Sequence, residues 1–272
     1  MVSTTALVII VNTNADGETL RLLEELVSQE GATVDAVVAH NGQQPLVVGL
    51  PGSAQSHVSV VSPPENRGYF YAADVGLDSY LTRNPMPDWV VVSNADIHIP
   101  DRGFFESLAR FHGTGSPGVV APSILSLMSR RDQNPMMRRR PSRARMRLYQ
   151  LVFRFYATDA AYQFLALARD RVRRPASPQP GTGGAEPIYA PHGAFMIFNR
   201  RYFESGGSLK YGVFLYGEEL FVAERARTLG LDVLYDPRLK VVHREHSETG
   251  VINQKSWRRR REASDFIARQ FF

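Results

Sequence analysis

The sequence predicts an α/β fold, a mostly parallel sheet flanked by helices. Three observations carry this. Short apolar runs, "ALVIIV" at 6–11 and "DWVVV" at 88–92, lack polar alternation, as strands buried on both faces do. Between them lie stretches with apolar residues at helical spacing, such as Leu20, Leu23, Leu26 and Val27. The two kinds of segment alternate, which is the pattern of strand–helix–strand units.

The elements follow in order. The first strand leads into the helix of "NADGETLRLLEELVSQEG", which stops at Gly31. "ATVDAVVAHNG" is a second strand ending in His40, Asn41 and Gly42. "HVSVVSPPENRG" holds a third, and "YFYAADVGLDSYLTR" the next helix. "DWVVV" runs into "SNADIHIP". After Pro100 come a helix in "GFFESLARFHG" and a strand in "GVVAPSIL". An arginine-rich stretch and a Pro/Gly linker, "PASPQPGTGGAEP", interrupt the pattern. It resumes with a strand and short helix in "IYAPHGAFMIFNRRYFESGG", a helix in "EELFVAERARTLG", and two short strands in "LDVLYDPRLKVVHREH". The last segment, "KSWRRRREASDFIARQFF", is a basic amphipathic helix. Four parts are expected: 1–126, an insert with its linker at 127–180, 181–250, and a helix at 251–272.

Composition excludes some classes. The chain has 272 residues, 43% of them hydrophobic, enough to bury a real core. It has no cysteine, so disulfides and thiolate zinc sites are out. The six-residue apolar run near the N-terminus has no basic flank and is too short for a signal core. No stretch reaches the ~18 apolar residues of a membrane span. The expected location is cytoplasmic, either soluble or peripheral at the inner face of the plasma membrane. The net charge of +5 is uneven: residues 127–175 hold thirteen arginines against Asp132, Asp159 and Asp170, a local +10.

In open α/β sheets ligands bind beyond the carboxyl ends of the strands. Asn12, Asn14, His40, Asn41, Asn94 and Asp96 all follow strands there, describing a polar crevice. Gly113, Gly115 and Gly118 match a dinucleotide fingerprint, but they precede a strand and enclose Pro117, so this is no dinucleotide site. Asp96 has two readings: a ligand for a divalent cation that bridges a diphosphate, or a cap on the following turn. Adjacent Glu218 and Glu219 open a helical pattern, where carboxylates also occur simply because the helix dipole favours them.

Several motifs, in order, decide between these readings. They are "VIIVNTN", "VVAHNG", "ENRGYFYAADVGL", "VVVSNADIHIP", "GAFMIFNRRYF", "FLYGEELFVAERARTLG" and "VVHREHSETG". Together they resemble the family 2 glycosyltransferases of the GT-A fold, particularly the rhamnosyltransferase-like bacterial enzymes that extend polysaccharides. The resemblance covers most of 7–250 and leaves out the insert. It implies an inverting transfer of a sugar from a nucleotide-diphosphate donor to a hydroxyl of a saccharide acceptor, one that is lipid-linked. It makes 1–126 the donor half and 181–250 the acceptor half.

The same resemblance implies site residues. Asn12, Asn14, His40, Asn41, Asn66, Gly68, Asn94 and Asp96 bind the donor. Asp96 and His243 hold Mg²⁺ or Mn²⁺, with His246 and Ser247 closing over the diphosphate. His192, Gly193, Ala194 and Tyr216 line the acceptor side. Glu219 is the base and Glu218 positions the acceptor, an assignment open to exchange. The sequence departs from the family pattern at Asn94, where an aspartate is frequent, and at His40, where an aspartate usually meets the base or ribose. It departs too at Asp74, where asparagine is frequent, and at Glu219, which stands for aspartate.

Two rivals are weighed. A nucleotidyltransferase needs a glycine-rich basic loop after strand one, and "NTNADGE" is acidic. A nucleic-acid-binding protein would use the arginines of the insert, but no nucleic-acid module accompanies them. The expected role of that insert is docking on an anionic membrane surface, with help from the helix around Trp257.

Overall fold

The structure, a computed structural model, describes residues 5–42, 44–48, 56–111, 115–172, 183–245 and 252–272. The first part of the chain contains β1 (Thr5–Asn12), α1 (Asp16–Val27), β2 (Thr33–His40), β3 (Val58–Val61), α2 (Tyr69–Leu81) and β4 (Trp89–Asn94). Then come β5 (Ile97–His98), α3 (Phe104–Ala109) and β6 (Pro117–Ser126). The insert is α4 (Arg143–Arg154) and α5 (Tyr156–Val172). After it follow β7 (Glu186–Ile188), β8 (Phe195–Asn199), α6 (Arg200–Glu204), α7 (Glu218–Thr228), β9 (Asp232–His243) and α8 (Gln254–Phe271).

All the strands join one sheet in the order β3-β2-β1-β4-β8-β6-β9-β5, and β7 pairs with β9. β1, β2, β3, β4, β6 and β9 run one way, and β8 lies antiparallel between β4 and β6. The mostly parallel expectation holds, with β8 as the principal exception.

The apolar runs explain the core. Successive side chains of a strand point to opposite faces, so a run apolar throughout feeds two layers. Leu7 and Ile9 meet Phe70, Phe198 and Tyr202 under α2, α6, α7 and α8. Ala6, Val8 and Ile10 meet Leu22, Leu23 and Phe104 under α1 and α3. Each fully buried Leu or Phe stabilises the fold by ~1.5–3 kcal/mol.

The two short strands expected after α7 are one strand, β9. Pro122 pairs with Asp236 but Ser123 pairs with Lys240, so residues 237–239 bulge out of register. The Asp236 carboxylate accepts the N–H of Arg238 at 3.0 Å and its guanidinium at 2.6 Å. That bulge lets Pro237, which has no N–H to give, sit inside a strand.

The insert and the last helix form one bundle. Ser142 caps α4 by accepting the N–H of Arg145. Trp257 Nε1 donates to the Phe153 carbonyl at 2.9 Å, and Gln150 donates to Asp265 at 3.2 Å. Arg260 grips buried Asp159 through two bonds of 2.8 and 2.6 Å. The arginine run before α4 divides: Arg138 pairs with Glu186, and Arg140 pairs with fully buried Glu224 and donates to the Phe271 carbonyl. Among the described residues no helix is long and apolar enough to cross a membrane.

Candidate active site

The site forms where the carboxyl end of β4 meets the amino end of β8. The Asn94 N–H donates to the Ala194 carbonyl at 2.9 Å, joining the two halves of the chain there. Three residues on, β5 pairs with the end of β9, placing Ile97 opposite His243. That register brings His243 to Asp96, both buried, with Nε2 at 3.2 Å from Oδ1.

The protonation of His243 follows from its neighbours. Gln133 donates its amide N–H to Glu245 at 2.6 Å, since a carboxylate can only accept. Gln133 therefore turns its oxygen to His243, and Nδ1 must carry the proton across that 2.8 Å bond. In the neutral ring Nε2 then offers a lone pair; it is buried, without a hydrogen bond, and faces the Asp96 carboxylate. A cation reconciles such a pair of donors. Asp96 and His243 thus fit a divalent ion, although no cluster of three His, Cys, Asp or Glu surrounds them among the described residues.

The glutamate pair enters from α7. The loop before it turns through two left-handed residues, Tyr216 (φ 72°) and Gly217 (φ 86°). Gly217 is required there, because a Cβ would come within 2.7 Å of the Tyr211 hydroxyl. That hydroxyl donates to the Tyr216 carbonyl at 2.7 Å and holds the turn. Glu218 is 4% exposed, with Oε1 buried and unpartnered. Burial, and next the charge on Glu219, push its carboxyl up to about 8. Burial also raises Glu219, but the N–H groups of Glu219, Gly193 and Gly217 oppose the rise. Two adjacent buried carboxylates do not both ionise at neutral pH. Burial and their mutual repulsion thus favour a proton on the pair.

Tyr69 joins the two constellations. Its hydroxyl donates to the Gly193 carbonyl at 3.2 Å. Burial raises its pKa well above the ordinary phenol value, and the carboxylates of Glu218, Asp96 and Glu219 raise it further. All three carboxylates thus act electrostatically on one hydroxyl.

The other expected residues sit around this centre in different ways. Asn12 is buried and spends its amide on Asp16 (2.7 Å), on His40 Nδ1 (3.1 Å) and on the Ala15 N–H (2.8 Å). His40 in turn donates from Nε2 to the Gln44 carbonyl at 2.6 Å, so both its nitrogens shape the crevice wall. The Asn41 N–H donates to the Asn12 carbonyl, and Asn14 is an exposed left-handed residue at φ 58°. Asn66 accepts from the Gly68 N–H at 3.2 Å. Gly68 (φ 112°) packs so closely on the Phe214 carbonyl that a Cβ would lie 1.9 Å from it, pressing the amino end of α2 against the loop before α7.

His192 stands 6.2 Å from His243, ring to ring. Its Nδ1 accepts from the Ala194 N–H and its own N–H donates to Asn134. Burial, and then His243, push its pKa down to about 4, so at neutral pH it is an uncharged ring with a donor at Nε2. His246 and Ser247 lie outside the described residues, as does Gly113.

Sequence reasoning missed Tyr69, Gln133, Asn134 and Glu245. Tyr69 is the aromatic residue of "ENRGYF", and that position was its only signal. Gln133 and Asn134 belong to the stretch assigned to the insert, yet Asn134 is buried and fixes both the Pro122 carbonyl and the His192 N–H.

No protein-family model matches the chain, and no curated protein matches it in sequence. Solved structures do match. Residues 1–349 of S. aureus TarS align over 89% of this chain and 60% of that one, with 12% identity and a TM-score of 0.51. GalNAc-T7, solved with UDP, GalNAc and Mn²⁺, aligns over 96% of this chain and 48% of that one, with 14% identity and a TM-score of 0.51. This chain has a GT-A-like fold. It spans about half the length of these structures.

Proposed function

We propose that this chain is an inverting, metal-dependent glycosyltransferase of the family 2 type. It moves a sugar from a nucleotide-diphosphate donor to a hydroxyl of a lipid-linked saccharide acceptor in cell-surface polysaccharide synthesis. The observation that supports this best is the convergence of the Asp96–His243 pair and the Glu218–Glu219 pair around Tyr69. GalNAc-T7, of similar fold, was solved with a nucleoside diphosphate and Mn²⁺.

Asp96 and His243 would hold Mn²⁺ or Mg²⁺, and the mixed oxygen–imidazole set suits Mn²⁺ better than the harder Mg²⁺. Such an ion supplies positive charge against the departing diphosphate. The Gln133–Glu245 relay fixes the His243 ring for that purpose.

Glu219 accepts the proton of the attacking hydroxyl. Backbone N–H groups of Gly193, Gly217 and Glu219 itself favour its charged form against the effect of burial. Protonated Glu218 donates a hydrogen bond to the acceptor. Neutral His192 offers a second donor from Nε2, while Gly193 and Ala194 leave room for a sugar ring. Asn14, Asn41 and Asn66 face the base and ribose from the crevice wall. Attack on the anomeric carbon as the diphosphate leaves is a single displacement, so the product carries the opposite anomeric configuration.

The test is a thermal-shift panel of nucleoside diphosphates and nucleotide sugars, with and without Mn²⁺ or Mg²⁺. A ligand that binds only the folded state raises its apparent stability. Selective stabilisation by one base, dependent on the cation, is expected. No stabilisation by any nucleotide in either cation would sink the reading.

A further inference from the structure

We infer that the outer face of the α4–α5 hairpin is a docking surface for an anionic membrane. Leu148, Leu151, Phe155, Phe164 and Leu165 are each between 55% and 66% exposed, and all five lie on this hairpin. A cluster of that kind on an otherwise polar surface marks an interaction site.

The arrangement is not a frayed core. On α4, Leu148 and Leu151 stand at i and i+3 on one face, and exposed Phe155 ends the helix. Met146, Tyr149 and Phe153 lie on the opposite side; Met146 is buried, and the backbone of Phe153 accepts from Trp257 of α8. On α5, Ala157, Ala161, Phe164, Leu165 and Ala168 form a charge-free face, while Asp159 points the other way into Arg260. α4 is therefore apolar on both sides, one of them packed on the protein, and α5 turns a charge-free face outward while its inner side holds the Asp159–Arg260 pair.

A basic rim identifies the occupant. Arg143, Arg147 and Arg154 are exposed and line the edge of the α4 stripe at i, i+4, i+11. Between 143 and 169 the only acidic residue is Asp159, which is buried and paired. A second copy laid on this face by two-fold symmetry would set arginine against arginine with no carboxylate to relieve it. Anionic headgroups complement the rim, and the layer just beneath them accepts the apolar stripe. Arg138 and Arg140, tied to Glu186 and Glu224, take no part, and neither does Trp257, which closes the hairpin against α8.

The hairpin is also tied to the candidate site. Asp159 of α5 holds Arg260 of α8, whose guanidinium lies 5.6 Å from the Tyr216 ring, just ahead of Glu218. Docking would present the acceptor side to a lipid-linked sugar; only this last step rests on the function proposed above.

The experiment is co-sedimentation with phosphatidylglycerol/phosphatidylcholine vesicles and with pure phosphatidylcholine vesicles. Wild type is compared with Leu151→Ser/Phe164→Ser/Leu165→Ser and with Arg143→Gln/Arg147→Gln/Arg154→Gln. Wild type should pellet with the anionic vesicles only, and less so as salt is raised. The basic variant should lose about 100-fold in partitioning, near fivefold per arginine, and the apolar variant should stay in the supernatant. Circular dichroism and the nucleotide thermal shift verify that the variants fold. They also separate failure of docking from failure of the donor reading. Pelleting of both variants like wild type, or wild type remaining in the supernatant, overturns the proposal. So does a wild-type dimer that the apolar variant splits, which would assign the face to a second copy.

Discussion

Gly193 and Glu219 compete for one space: a Cβ on Gly193 would come within 2.8 Å of Glu219 Oε1. The loop leading into β8 therefore sets the position of the carboxylate proposed as the base.

Gly193→Ala tests this. The atom displaced is the end of a side chain, so the fold survives, but the carboxylate must turn away. A misplacement of that size lowers donor turnover by roughly 10–100-fold, with nucleoside-diphosphate binding unchanged by thermal shift. Full turnover in the variant would mean that Glu219 does no chemistry.

Glu219→Gln keeps the shape and removes the proton acceptor, so turnover should fall by about 100-fold or more. A dead Glu218→Gln beside a fully active Glu219→Gln would exchange the two roles.

Glu218→Gln has a second readout, the dependence of stability on pH. The Glu218 carboxyl is raised to about 8 in the folded state. Between about 4.5 and 8 the folded protein thus binds a proton that the unfolded chain has released, and stability falls as pH rises through that window. The variant lacks this loss. Its Tm should match wild type near pH 4.5 and exceed it by several degrees at pH 9, by differential scanning calorimetry. Parallel curves would remove the buried proton from Glu218.

Asp96→Asn and His243→Ala address the cation. Each should abolish the extra stabilisation that Mn²⁺ adds to a nucleoside diphosphate while leaving metal-free binding in place. Chelator should stop turnover of the wild type. Activity in excess EDTA would return Asp96 to the role of a turn cap.

Asp159 is wholly buried and Arg260 nearly so, which makes their bond costly to break from one side. Asp159→Ala leaves a buried guanidinium and should cost about 3–5 kcal/mol, whereas the double change Asp159→Leu/Arg260→Met should recover most of it. Thermal unfolding of the single and double variants decides between them.

The parallel half was legible because its strands are short and apolar on both faces, a pattern that few other structures tolerate. The antiparallel direction of β8 was not, since hydrophobic periodicity has no sense of chain direction. β7 was hidden in a stretch whose Pro and Gly content reads as linker. At the site, the sequence sets polar residues at the strand ends, Asn12, His40 and Asn94. Which of them turn towards each other, as Asn12 and His40 do, depends on strand spacing and is not written in either residue. Gln133 and Asn134 escaped because their partners are more than 50 residues away in sequence, beyond any local pattern.

The place of β8 in the sheet also bears on how the chain is made. β8 pairs with β4, but it is synthesised about a hundred residues later, after the whole insert. At ~5–20 residues per second a ribosome needs ~5–20 s to bridge that interval. Throughout it the nascent sheet ends in a bare edge, the "WVVVSN" of β4, which is apolar and open to pairing with any passing strand. Synthesis of this protein thus includes a period in which a chaperone has a defined segment to shield, and it ends when Phe195–Asn199 takes that edge.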